Sequence, residues 1–117
     1  MRSDKENLIV KLSFEFAKEI IFFTEKLQES KKFVIANQLI KSGTSIGANI
    51  REAQNAESKI DFIHKFKIAA KEIDETEYWL LLCKDCYELK MCDELLERLS
   101  AINRVVSKII STSKEKQ

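Results

Sequence analysis

The chain has 117 residues, about the size of one domain, with 44% apolar and 33% charged residues. Lysine and arginine total 20 against 19 aspartates and glutamates, and the resulting net charge of +1 excludes a strongly basic nucleic-acid module and an acidic tail. With 2 glycines and no proline there are too few turn formers for a sandwich or barrel, so the expectation is all-α.

No run of about 18 uncharged apolar residues is present, so no membrane-spanning helix is expected. The opening MRSDKENLIV is too charged for a secretory signal, which makes the cytoplasm the expected location. The 3 cysteines, an odd number, fit a reducing compartment better than a disulfide framework.

The first helical pattern runs from about Asp4 to Ser30. Ile9, Leu12, Phe16, Ile20, Phe23 and Leu27 recur at steps of three and four and share one side of a helix. Phe14, Ala17 and Ile21 lie well round from that stripe, and Phe22 points nearly opposite to Ile20 and Leu27. One bundle core does not need that much apolar surface.

A second helix is expected from about Phe33 to Ala56, with Ile35, Leu39, Ile46, Ile50 and Ala53 facing inward. Both glycines, Gly43 and Gly47, fall in its middle, where each costs about 1 kcal/mol relative to alanine. Propensity by itself makes this stretch a loop. The apolar spacing nevertheless keeps helical phase across it, which favours a continuous helix whose small residues admit a close neighbour. Gln38, Ser42, Ser45, Asn49, Glu52 and Ala56 form a small and polar ridge beside the apolar stripe. Packed on the third helix, the ridge needs hydrogen-bond partners, for which Thr76, Glu77 and Tyr78 are candidates. A buried network of Asn49, Glu52 and Glu77 is the expectation, serving either to fix helix register or to line a polar pocket or pore.

The third helix starts near Ser58, which is spaced from Asp61 like a capping box. Phe62, Phe66, Ala69, Ile73, Thr76, Leu80, Cys83 and Tyr87 make a heptad seam over nearly four heptads. Tyr78-Trp79-Leu80-Leu81-Leu82-Cys83 is apolar on every side, which calls for a partner beyond the bundle core. Lys90 to Asp93 reads as a break, with Asp93 as cap. The fourth helix follows to about Ser111, on a seam of Leu95, Leu99, Ile102, Val106 and Ile109, before a polar end expected to fray. Short connections and the absence of any linker predict a single domain over residues 1–117, an antiparallel up-down-up-down four-helix bundle.

Catalytic patterns are sparse. His64 is the single histidine and sits among residues of a solvated helix face. No nucleotide-binding glycine motif occurs. Cys83-Lys84-Asp85-Cys86 is a CxxC, with Cys92 further on, but no second pair or histidine completes a zinc set, and it falls late in a helix rather than at an N-terminus. Glu72, Asp74, Glu75 and Glu77 lack the Glu-x-x-His partners of a di-metal bundle. No enzymatic activity, cofactor or metal is expected.

The segment from Gln38 to Ala53, with its Ser45-Ile46, Asn49-Ile50 and Glu52 core, strongly resembles helix 2 of the four helix bundle protein family encoded by intervening sequences in bacterial 23S rRNA genes. Ala56-Glu57-Ser58 and Glu75-Thr76-Glu77-Tyr78-Trp79-Leu80 resemble it as well, and the likeness covers nearly the whole chain. The resemblance implies a four-helix bundle without known enzymatic activity. It extends to the accessory protein of diversity-generating retroelements, and so implies a homopentamer that binds RNA or DNA and a reverse transcriptase. That accessory protein is notably basic, whereas this chain is nearly neutral.

Two function classes follow. One is an oligomeric scaffold associated with nucleic acid, joined through Phe14, Ile21, Phe22, Trp79 and Leu82, with Lys41 and Arg51 as candidate nucleic-acid contacts sharing a face of helix 2. A small basic patch repeated around a ring becomes a larger one, although ordinary solvated lysines give the same pattern. The other is a protein-interaction module that binds no nucleic acid.

Overall fold

The computed structural model describes residues 4–115, and side chains from Leu8 onward. Four helices follow in order: α1 (Asp4–Glu29), α2 (Phe33–Ala53), α3 (Lys59–Tyr87) and α4 (Met91–Glu115). Each packs on its neighbours in a closed cycle, α1 on α2, α2 on α3, α3 on α4 and α4 on α1, so the helices stand at the corners of a square. The bundle is elongated, 47 × 21 × 19 Å.

Cross-helix pairs give the direction of the chain. Glu52 meets Lys65, Ser42 meets Thr76, and the Lys32 ammonium sits 4.6 Å from the centre of the Tyr87 ring. As the α2 number falls the α3 number rises, so the two helices are antiparallel. Gly43 beside Ile20 and Gly47 beside Ser13 show the same for α1 and α2.

The helices end where local chemistry stops them. Ser58 caps α3, its hydroxyl accepting from the Asp61 amide at 3.0 Å, as the spacing predicts. Lys31 and Glu88 adopt left-handed backbone, φ 63° and 54°, and turn the chain after α1 and α3. α2 stops at Ala53, three residues before the expected end. α4 begins at Met91 rather than beyond Asp93, because the Leu89 and Lys90 carbonyls accept from the Cys92 and Asp93 amides and start the turn early. The far end continues to Glu115, past the expected fraying point, while Lys116 and Gln117 lie outside the described residues.

The core is the union of the four inward stripes. Ile9, Phe16, Ile20, Phe23 and Leu27 of α1 meet Leu39, Ile46 and Ile50 of α2, Phe66, Ile73 and Leu80 of α3, and Leu95, Leu99, Ile102 and Val106 of α4. Full burial contributes about 1.5–3 kcal/mol for each such side chain. α2 is helical without interruption through both glycines. A β-carbon at position 43 would lie 2.8 Å from Ile20 Cγ2, and one at position 47 would lie 3.3 Å from the Ser13 carbonyl oxygen. The missing side chains therefore let α1 rest on the backbone of α2, a gain in contact that outweighs about 1 kcal/mol of helix propensity at each glycine.

Candidate interaction surfaces

The outward face of α1 is rich in large apolar groups. Phe14, Ile21 and Phe22 stand in solvent, Phe22 at 60% exposure. They lie opposite the core stripe because each sits about half a helical turn from Phe16, Ile20 and Phe23. Lys18 covers part of the patch, its ammonium 5.6 Å from the Phe14 ring centre and paired with Glu15 at 3.0 Å.

In the Tyr78–Cys83 stretch of α3 the exposed apolar residues are Tyr78 and Leu81, and Ile60 is exposed at the start of the helix. Trp79 and Leu82 are half-buried. The Trp79 ring packs against the core and stands edge-on to Tyr78 at 5.1 Å. Its indole N–H is buried with no acceptor, a cost of about 1–3 kcal/mol.

Between α1 and α2, beside Gly47, lies a groove of about 150 Å³. Val10, Phe14, Ala17 and Ala48 give it apolar walls, and Arg51 stands at its rim. The Arg51 side chain is exposed and has no ion pair among the described residues. Lys41 is exposed about three turns of helix earlier, within the field of Glu72 on α3. Burial, reinforced by the neighbouring Glu75 charge, pushes the Glu72 carboxyl above its ordinary range, and Lys41 and Lys71 partly offset this. Lys41 and Arg51 therefore share a face of α2 but differ in surroundings: one is partly balanced by a carboxylate and the other is free.

The buried network expected from Asn49, Glu52 and Glu77 does not form within the chain. Glu52 and Glu77 are both exposed. Glu52 does reach α3, but at the surface, through a 2.9 Å ion pair with Lys65 that raises the lysine pKa. Asn49 is half-buried, and its amide donates to the Ser45 carbonyl at 2.8 Å, within its own helix. The physical reason is local: polar groups of α2 return their hydrogen bonds to their own backbone. Thr44 donates to Ile40 and Ser45 to Lys41, each at 2.6 Å, and Gln54 donates to Ile50 at 3.0 Å. The polar contact that is buried between α2 and α3 joins Ser42 and Thr76, whose hydroxyl oxygens are 3.0 Å apart. Both residues were legible in the ridge and the seam; their small size is what lets them stay inside.

His64 is exposed on α3. Among the described residues no group of histidine, cysteine, aspartate and glutamate side chains is arranged to hold a metal ion. Among those residues, too, no helix is long and apolar enough to cross a membrane. On the other flank of α1 from the groove, Arg98 of α4 holds Glu19 of α1 and Glu94 of its own helix. This surface brace closes the α1–α4 corner.

No curated protein matches the chain. A solved structure does: a protein of unknown function from the S23 ribosomal protein family of Bacteroides thetaiotaomicron, 41% identical, covering 92% of this chain and 98% of that one, with a TM-score of 0.88. The family model described as 23S rRNA-intervening sequence protein matches residues 5–111. The family model spans nearly the whole chain and the solved neighbour shares its fold, and the chain belongs to the 23S rRNA-intervening sequence protein family.

Proposed function

We propose that the chain is a non-enzymatic scaffold that assembles with copies of itself and holds nucleic acid on the assembled surface. The observation that carries this reading is the apolar outer face of α1, Phe14, Ile21 and Phe22, together with Tyr78 and Leu81 on α3. Large apolar groups gathered on the side of a helix away from its core mark a contact surface. Five copies is the number implied by the likeness to the retroelement accessory protein. With a net charge of +1, one chain attracts RNA or DNA weakly, so binding depends on repeating Lys41 and Arg51 around an assembly. A reverse transcriptase as partner follows from the same likeness alone.

Light scattering on the full chain tests the first half. The expected mass is a multiple of 13.6 kDa, falling to that value when Phe14 and Phe22 are both changed to glutamate. A wild-type mass of 13.6 kDa at micromolar concentration overturns self-assembly. A gel shift with ribosomal RNA fragments tests the second half. Binding that weakens steeply with salt and is lost on Lys41→Glu with Arg51→Glu, the assembly remaining intact, is the expected result. Assembly without any shift at low salt favours the protein-interaction reading instead.

A further inference from the structure

Two helices carry a second stripe on the side away from the core. On α1, Lys11, Phe14, Lys18 and Ile21 follow at steps of three, four and three, and all four are exposed. On α3, Asp74, Tyr78, Leu81 and Asp85 follow at steps of four, three and four, and these are exposed as well. Such steps keep a stripe on one face of a helix and are the spacing with which one helix packs along another. α1 packs on α2 and α4, and α3 packs on the same two, so α1 and α3 stand at diagonal corners and their outer faces point away from each other. The two stripes of one chain therefore never meet.

The stripes differ in charge. Asp74 and Asp85 bracket Tyr78 and Leu81, Glu75 and Glu77 are exposed beside them, and none of these carboxylates forms an ion pair among the described residues. Lys84, the cation of the same turns, is taken by Asp93 at 2.7 Å. Two α3 stripes brought together would set carboxylates against carboxylates. The α1 stripe has cations at the corresponding places. Lys11 forms no ion pair among the described residues. Lys18 holds Glu15 at 3.0 Å, but across an exposed surface where such a pair contributes little. Glu19, the other carboxylate nearby, is already held by Arg98. One chain thus carries both halves of a complementary pair, on opposite sides.

We propose that the outer stripe of α1 docks on the outer stripe of α3 of a second copy, Phe14 and Ile21 packing on Tyr78 and Leu81 and the Lys11 and Lys18 ammoniums meeting Asp74 and Asp85. This rests on the self-assembly proposed above and says which surface meets which. The contact is head-to-tail: each copy uses α1 toward one neighbour and α3 toward the other, so that the contacts close into a ring or run on as a filament. Large apolar side chains leave water at every contact and supply the attraction, and the flanking charges set the pairing.

Charge exchange tests the pairing, with light scattering on the full chain at low salt as the readout. In one variant Lys11 and Lys18 are both changed to glutamate, and in a second Asp74 and Asp85 are both changed to lysine. The four positions are exposed, so both variants should keep the wild-type helix content by circular dichroism. Each alone is expected to fall to the single-chain mass of 13.6 kDa, because it presents like charges on its two stripes. A chain carrying all four changes is expected to assemble again, and so is an equimolar mixture of the two variants, in which reversed α1 fits reversed α3 and native fits native. A wild type that assembles and is unmoved by either pair of changes overturns the α1-on-α3 pairing while leaving self-assembly standing. Loss of assembly that is restored neither in the mixture nor in the fourfold variant does the same. A wild-type mass of 13.6 kDa overturns both. Should a variant lose helix content, the single changes Lys11→Glu and Asp85→Lys and their mixture decide the matter.

Discussion

Gly43 and Ile20 lie so close that a β-carbon on the glycine would fall 2.8 Å from the isoleucine Cγ2 and 3.0 Å from its Cγ1. Ile20 is fully buried among the other core side chains. Gly43→Ala, which raises helix propensity, is therefore expected to destabilise the bundle by about 1–3 kcal/mol in a urea melt. Gly47→Leu is expected to cost a similar amount, since its β-carbon meets the Ser13 backbone at 3.3 Å. A melt unchanged by both substitutions contradicts the close crossing.

The Ser42–Thr76 contact makes a second prediction. The Thr76 hydroxyl also reaches the Glu72 carbonyl at 2.7 Å, and Ser42 reaches that of Leu39 at 3.4 Å. Each side chain thus has a fallback within its own helix. Thr76→Val is expected to cost about 0.5–1.5 kcal/mol, and Ser42→Ala a similar amount. The double variant should cost less than the two together, because the shared bond is lost only once. Strict additivity in the cycle would show that the hydroxyls do not interact.

Glu72 predicts a pH effect. Its carboxyl is raised by burial and by Glu75. A raised carboxyl binds its proton better in the folded state, so its contribution to stability is full below the ordinary carboxylate pKa and is lost as pH climbs through the raised value. Glu72→Gln should remove this component. Its melting temperature should therefore lose less than the wild type on going from about pH 4 to neutral pH.

Lys67 of α3 and Lys114 of α4 lie beside each other, and their contact lowers the Lys67 pKa. Two like charges across a helix seam repel. Lys67→Glu should raise the melting temperature slightly at low salt, and the gain should fade as salt is added. A gain that salt leaves untouched would point to packing rather than charge.

Periodicity carried most of the fold. The α3 seam placed Phe66, Ala69, Ile73, Thr76, Leu80 and Cys83 inside, where they are; at its start Ile63 is buried while Phe62 is half-buried against the core. Helical phase also carried α2 correctly through Gly43 and Gly47. Spacing does not say which way a long side chain turns. Glu52 and Glu77 sit beside their seams, yet three-bond side chains reach water from there, and desolvating a carboxylate is costly. Aspartate as a cap was equally ambiguous: Asp93 can start a helix or sit in its first turn, and it does the latter, which puts Cys92 inside α4.

The crossing of α1 on α2 also bears on the outer surface. Ordinary helix seams are cushioned by side chains that can change rotamer and let a helix roll. Here the Ser13 carbonyl and Ile20 press on bare backbone at Gly47 and Gly43, so α1 has little freedom to turn about its own axis. Phe14 and Phe22 are consequently held outward and cannot roll into the core to escape water. Two absent side chains on the inner seam keep two large ones on display, and a single added methyl at position 43 should be felt on the far side of α1 as well as at the crossing.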